Sequence, residues 1–132
     1  MNTVVISAGS NINPHENLSN AEELLRREVR VLACASRIVT KPVGFTDQPD
    51  FVNTAFLVET ALDMASLTAY LKSVETSLAR KRGPEKSGPR TIDLDIAVFD
   101  GSIVDEDVFE RDFLRKLILE VAPQMKDKLV RR

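Results

Sequence analysis

Two aspartates, Asp93 and Asp95, stand in the stretch Gly88-Pro89-Arg90-Thr91-Ile92-Asp93-Leu94-Asp95-Ile96, where apolar and polar residues alternate after Arg90. Alternation with period two is the pattern of a half-buried strand. Ile92, Leu94 and Ile96 then face a core, and both carboxylates share the opposite face with their α-carbons roughly 6.5 to 7 Å apart. Like charges so placed repel unless something positive lies over them. Hard divalent cations are held by one or two carboxylates plus substrate phosphates, so the pair reads as a metal and phosphate platform. Arg80, Arg82, Lys86 and Arg90 precede it closely and can clamp a polyphosphate around the ion. Asp-x-Asp alone also fits a sheet face turned to water, and Arg80, Lys81 and Arg82 also complement the dipole of a preceding helix. Aspartate is nevertheless a poor strand residue, and two in one short strand break a local rule in the way functional sites do.

The rest of the chain supplies the elements that hold this strand. Thr3 to Ala8 is a β-rich apolar run ending in the turn cluster Gly9-Ser10-Asn11, which lacks the glycines and lysine of a phosphate loop. Asn13-Pro14-His15-Glu16 predicts a helix start, with Asn13 as N-cap, Pro14 at the first helical position and Glu16 completing a capping-box-like pair. That helix runs to about Glu28 with Leu18, Ala21, Leu24 and Leu25 as its buried stripe, and His15 is a solvated first-turn residue. Val29 to Thr40 predicts a second strand, and the segment from Phe45 to Asp50 a loop. A third strand follows from Phe51 to Thr60, with Val52, Phe56 and Val58 on one face and Phe51, Asn53 and Ala55 on the other. Phe51 beside Asn53, an aromatic plate next to an amide, suits a flat heterocycle; a core Phe and an edge Asn is the alternative.

Asp63 caps a second helix whose stripe is Leu67, Leu71, Val74 and Leu78 and whose end is marked by Arg80 to Gly83. After the aspartate strand, Asp100-Gly101 signals a hairpin into a short strand at Ser102 to Val104. A helix or turn then passes through Phe113 and Leu117 to Val121, Ala122-Pro123 breaks it, and the tail from Gln124 is polar and frayed. The order β-α-β-β-α-β predicts an α+β, ferredoxin-like antiparallel sheet with both helices on one face and a short C-terminal extension. Phe51, Asn53, Asp93 and Asp95 then share the open face.

With 132 residues the chain forms a single domain (1–132) that needs no staples, and a net charge of −2 with 29% charged residues is not the footprint of a nucleic-acid binder. One cysteine and one histidine exclude an internal disulfide and the usual zinc sites. No apolar run spans a bilayer and no basic, apolar leader opens the chain, so the expectation is a cytoplasmic protein.

The aspartate stretch resembles the signature strand of the 6-hydroxymethyl-7,8-dihydropterin pyrophosphokinases of folate biosynthesis. Gly9-Ser10-Asn11, Thr40-Lys41-Pro42-Val43-Gly44, Asp47-Gln48-Pro49-Asp50-Phe51-Val52-Asn53, Glu75 and the arginine loop stand in that family's order and near its spacing. The resemblance implies transfer of pyrophosphate from MgATP to the hydroxymethyl group of the pterin, with release of AMP; the expected partners are small molecules, with no nucleic acid and no membrane, and the expected state is a monomer, with an oligomer left open. It implies that Asp93 and Asp95 hold two Mg2+ ions and, with Arg80 and Arg90, form the catalytic set. Glu75, Arg82, Lys86, Arg90, Ile96 and Arg111 would line the nucleotide site, and Gly9, Thr40, Pro42, Val43, Phe51, Asn53 and Phe113 the pterin pocket. Two departures stand out: Ser87 replaces a bulky aromatic before Gly-Pro-Arg, and a nucleotide-binding Pro-His segment after the hairpin is missing. The alternative is therefore a weak or inactive relative that binds pterin or nucleotide, or a non-enzymatic interaction module.

Overall fold

The computed structural model describes residues 1–42, 44, 47–79 and 91–129. Its strands are β1 (Asn2–Ser10), β2 (Arg30–Cys34), β3 (Ile38–Thr40), β4 (Phe51–Thr60), β5 (Asp93–Phe99) and β6 (Ser102–Ile103). Its helices are α1 (Pro14–Arg26), α2 (Met64–Ala79), α3 (Asp107–Glu110) and α4 (Asp112–Val121), followed by a 3-10 helix at Pro123–Leu129. The strands form one antiparallel sheet in the order β2-β4-β1-β5-β6, with β3 also on β4. With β2 and β3 counted as one broken strand, this is the expected ferredoxin-like order.

Period two sorts the side chains of the sheet into two cores. Val4, Ile6, Val52, Phe56, Val58, Ile92 and Leu94 pack against Leu18, Ala21 and Leu25 of α1 and Leu67, Leu71 and Val74 of α2. Ile96 packs partly buried against the same cluster, as the alternation in β5 predicts. On the opposite face Val5, Ala55, Ala97 and Val98 meet Leu114, Leu117, Ile118 and Val121 of α4, with Met125 and Leu129 beyond. Ile6 pairs with Ile96 and Val5 with Val98, so Ala97 is an extra residue in β5. That bulge turns Ala97 and Val98 to the same side and returns Phe99 to the first core.

Three sequence expectations change. The C-terminal extension is a second helical layer, and the tail expected to fray from Gln124 is helical to Leu129 because Met125 and Leu129 are buried. The strand expected over Val29–Thr40 breaks between Cys34 and Ile38, where Ser36 and Arg37 turn to side-chain partners. Asn13 starts α1 but does not cap it through its side chain; it takes φ 41°, and its carbonyl accepts the Asn17 N–H at 2.9 Å. The Asp100-Gly101 hairpin is as expected, with positive φ at both residues (49° and 83°), the requirement of a type I′ turn.

Asp63 caps α2 as expected, its Oδ1 accepting the Ser66 N–H at 2.8 Å. This bond holds the carboxyl below the usual carboxylate range. Asp63→Ala is expected to destabilise the protein and to lower Tm by roughly 3 to 5 °C in a calorimetric scan.

Candidate active site

The register of the three central strands assembles the site. Asn53 of β4, Gly9 of β1 and Asp93 of β5 lie in one row across the sheet, and Ala55, Ser7 and Asp95 in the row beside it. Both rows face the α4 layer. A Cβ at Gly9 would stand 2.7 Å from Asn53 Oδ1, so only glycine lets the amide lie over the backbone there. Asn53 Nδ2 donates to Thr40 Oγ1 at 2.7 Å, which fixes the amide plane. The loop before β4 is tied down from β1, because the buried Asn11 donates through Nδ2 to Gln48 Oε1 at 2.8 Å and to the Pro49 carbonyl at 3.0 Å.

Over this floor lies a cleft of about 380 Å³, lined among others by Thr40, Phe51, Asn53, Asp93 and Asp95, with Phe113 from α4. Two aromatic side chains from opposite layers and one oriented amide make a slot for a flat, polar-edged ring. A second cleft of about 360 Å³ takes Thr68 and Lys72 from α2, Leu94 to Ile96 from β5, and Val104 to Asp107. Asp95, Asp105 and Asp107 line both clefts and mark where they meet.

At that junction negative charge is crowded. Partial desolvation, then the charges of Asp93, Asp105, Glu75 and Asp107, push the Asp95 carboxyl up from 3.8 to about 6. Asp95 is nonetheless exposed to the cleft, so solvent screens much of this repulsion. Among the described residues no three carboxylate, imidazole or thiol groups stand close enough to hold a metal ion by themselves. Two neighbouring aspartates on one strand face suit a hard ion whose remaining positions are filled by water and phosphate oxygens.

Of the residues singled out from sequence, Gly9, Thr40, Phe51, Asn53, Asp93, Asp95, Arg111 and Phe113 line the first cleft, and Ile96 lines the second. Arg111 approaches Asp107, with Nε 3.7 Å from Oδ2. Pro42 lines neither cleft. Glu75 is not among the residues that line either cleft, but its Oε2 accepts the N–H of Leu94, a residue of the second cleft, at 2.7 Å on the open edge of β5 between the two aspartates. Val43, Arg80, Arg82, Lys86, Ser87 and Arg90 lie outside the described residues. Asp105, Asp107, Lys72 and Asn11 were not foreseen as cleft or positioning residues. Nothing in the spacing of Asp105 and Asp107 after the hairpin tells that they fold back beside Asp95.

A family model described as 7,8-dihydro-6-hydroxymethylpterin-pyrophosphokinase (HPPK) matches residues 5–123 of the chain. The 2-amino-4-hydroxy-6-hydroxymethyldihydropteridine pyrophosphokinase of Bacillus subtilis is 33% identical over 135 residues, covering 94% of this chain and 80% of that protein. Its namesake in Haemophilus influenzae is 31% identical over 136 residues, covering 95% of this chain and 84% of that protein. The folic acid synthesis protein fol1 of Pneumocystis carinii is 33% identical over 129 residues, covering 90% of this chain. The chain spans only 17% of the length of that larger relative.

Two outcomes are expected from this geometry. Gly9→Ala pushes the Asn53 amide off Thr40 and should weaken pterin binding about tenfold in a fluorescence titration, with the fold intact. For Asp95, a raised folded-state pKa means that its contribution to the stability of the metal-free protein is fully present below the unfolded value of 3.8 and is lost as pH rises through about 6. Asp95→Asn should therefore stabilise the metal-free protein at pH 7, by on the order of 1 kcal/mol after allowance for screening, and have no effect near pH ~3.5. Melting curves at the two pH values check this.

Proposed function

The chain belongs to the 7,8-dihydro-6-hydroxymethylpterin-pyrophosphokinase family, and from that premise we propose that it transfers pyrophosphate from MgATP to 6-hydroxymethyl-7,8-dihydropterin in folate biosynthesis. The observation that carries this reading is the meeting of two clefts at Asp95, with Asp93 on the floor of the first. A two-substrate transfer needs the acceptor and the donor on either side of one charged point, and the aromatic, amide-bearing cleft suits the pterin while the second suits the nucleotide.

In this reading Phe51 and Phe113 hold the pterin ring between them, and Asn53, oriented by Thr40, reads its polar edge. Gly9 leaves room for the amide over the sheet. The hydroxymethyl oxygen is thereby aimed at the junction, where its bond to the β-phosphorus of ATP forms as the bond from that phosphorus to the α-phosphate oxygen breaks. AMP leaves, and the hydroxyl proton passes to solvent. Asp93 and Asp95 would hold Mg2+, two ions in this reading, which would supply positive charge to the phosphate oxygens. Those carboxylates are presented on one face of β5, and Glu75 keeps the strand edge in register through the Leu94 amide. Ile96 and Arg111 contribute to nucleotide binding, as do Arg82 and Lys86, while Arg80 and Arg90 steady the charge that develops on the transferred group; the last four are assigned on sequence alone. Catalysis of this kind rests on positioning and electrostatics with no covalent protein intermediate.

No described helix is long and apolar enough to cross a membrane. A net charge of −2 supports small molecules and no nucleic acid as the protein's partners, and the location proposed is the cytoplasm.

AMP release from MgATP, measured with and without the pterin, tests the proposal. AMP should form only when the pterin is present, and Asp95→Ala should reduce the rate at least about a hundredfold. AMP formation that ignores the pterin, or survives in the variant, would overturn the assignment.

A further inference from the structure

The break between β2 and β3 takes Ser36 out of the sheet and leaves its backbone N–H without a strand partner. Glu120, on the last turn of α4, fills that place. Its Oε1 accepts the Ser36 N–H at 2.8 Å and its Oε2 accepts the Ser36 hydroxyl at 2.7 Å, bridging 84 residues of sequence. The next residue is fixed from the other side of the sheet. Arg37 donates through Nη1 to the His15 carbonyl at 3.1 Å and through Nη2 to Ser19 Oγ at 3.1 Å, both on α1. The dipeptide is thus gripped by both helical layers.

What this grip connects is the acceptor cleft. From Arg37 the chain runs directly into β3, whose last residue is Thr40, the partner of the Asn53 amide. From Glu120, α4 runs back through Leu117 and Leu114 to Phe113, all three lining the same cleft. The second cleft takes no residue from β3 or α4. We propose that Glu120, through its paired hydrogen bonds to Ser36, is a positioning residue for the pterin pocket, setting the distance between the Thr40–Asn53 wall and the Phe113 wall. The Ser36 hydrogen bonds also hold the Glu120 carboxyl below the usual carboxylate range, as expected of a carboxylate that accepts both.

This inference rests on the pterin reading of the first cleft, and the test separates the two. Pterin affinity is measured by fluorescence titration and MgATP affinity by calorimetry, in wild type, Glu120→Ala, Glu120→Gln and Ser36→Ala. Glu120→Ala should weaken pterin binding about fivefold and raise the pterin KM by the same factor, with MgATP affinity within about twofold of wild type. Glu120→Gln, which keeps one acceptor oxygen, should recover most of the loss, and Ser36→Ala should fall between. If Glu120→Ala does not fold, the same comparison is made with the other two variants. Equal weakening of both ligands, or unchanged pterin binding, would overturn the positioning role. A wild-type protein that binds no pterin would overturn the functional reading, and the inference with it.

Discussion

Two carboxylates on one face of a single strand repel, and the architecture around β5 is arranged so that they stay there. Burial of Ile92 and Leu94 under α1 and α2 locks the strand's pleat, so Asp93 and Asp95 cannot rotate away without exposing a core. Glu75 adds a hydrogen bond to the Leu94 amide on the open edge. This contact fixes the backbone, yet its charge adds to the field that raises the Asp95 carboxyl. Asp93 and Asp95 therefore stand in a crowded field of negative charge, which the divalent cation of the proposed function would relieve, linking ligand binding to folding stability.

A second constraint is the space above those carboxylates. A ferredoxin-like sheet with helices on one side would leave them facing bulk water, where a metal and its phosphates would be weakly held. Packing of α4 and the 3-10 helix over Val5, Ala55, Ala97 and Val98 covers part of that face. The uncovered part becomes a cleft with a wall, and Phe113 stands in that wall. Water exclusion on one side and openness on the other are both needed for a charged transfer between two bound substrates. The fold achieves this with a layer that begins only after the β6 hairpin.

The site was legible in the sequence where it depends on strand alternation and on residue types unusual for their position. Asp93 and Asp95, Phe51 and Asn53 are such residues, and period two alone puts them on one face. Asp63 as a helix cap and Asp100-Gly101 as a hairpin were legible for the same reason, since each depends on neighbours within a few residues. Apolar periodicity likewise marked α1, α2, β4 and their buried stripes. What the tertiary structure alone decided are matches between distant segments. The row of Asn53, Gly9 and Asp93, the fold-back of Asp105 and Asp107 beside Asp95, the turn of Glu75 onto Leu94, and the hold of Glu120 on Ser36 all join residues far apart in the chain. Local propensity carries no information about which distant backbone amide a carboxylate will meet. That outcome is set by sheet register and layer packing, which depend on the whole core at once.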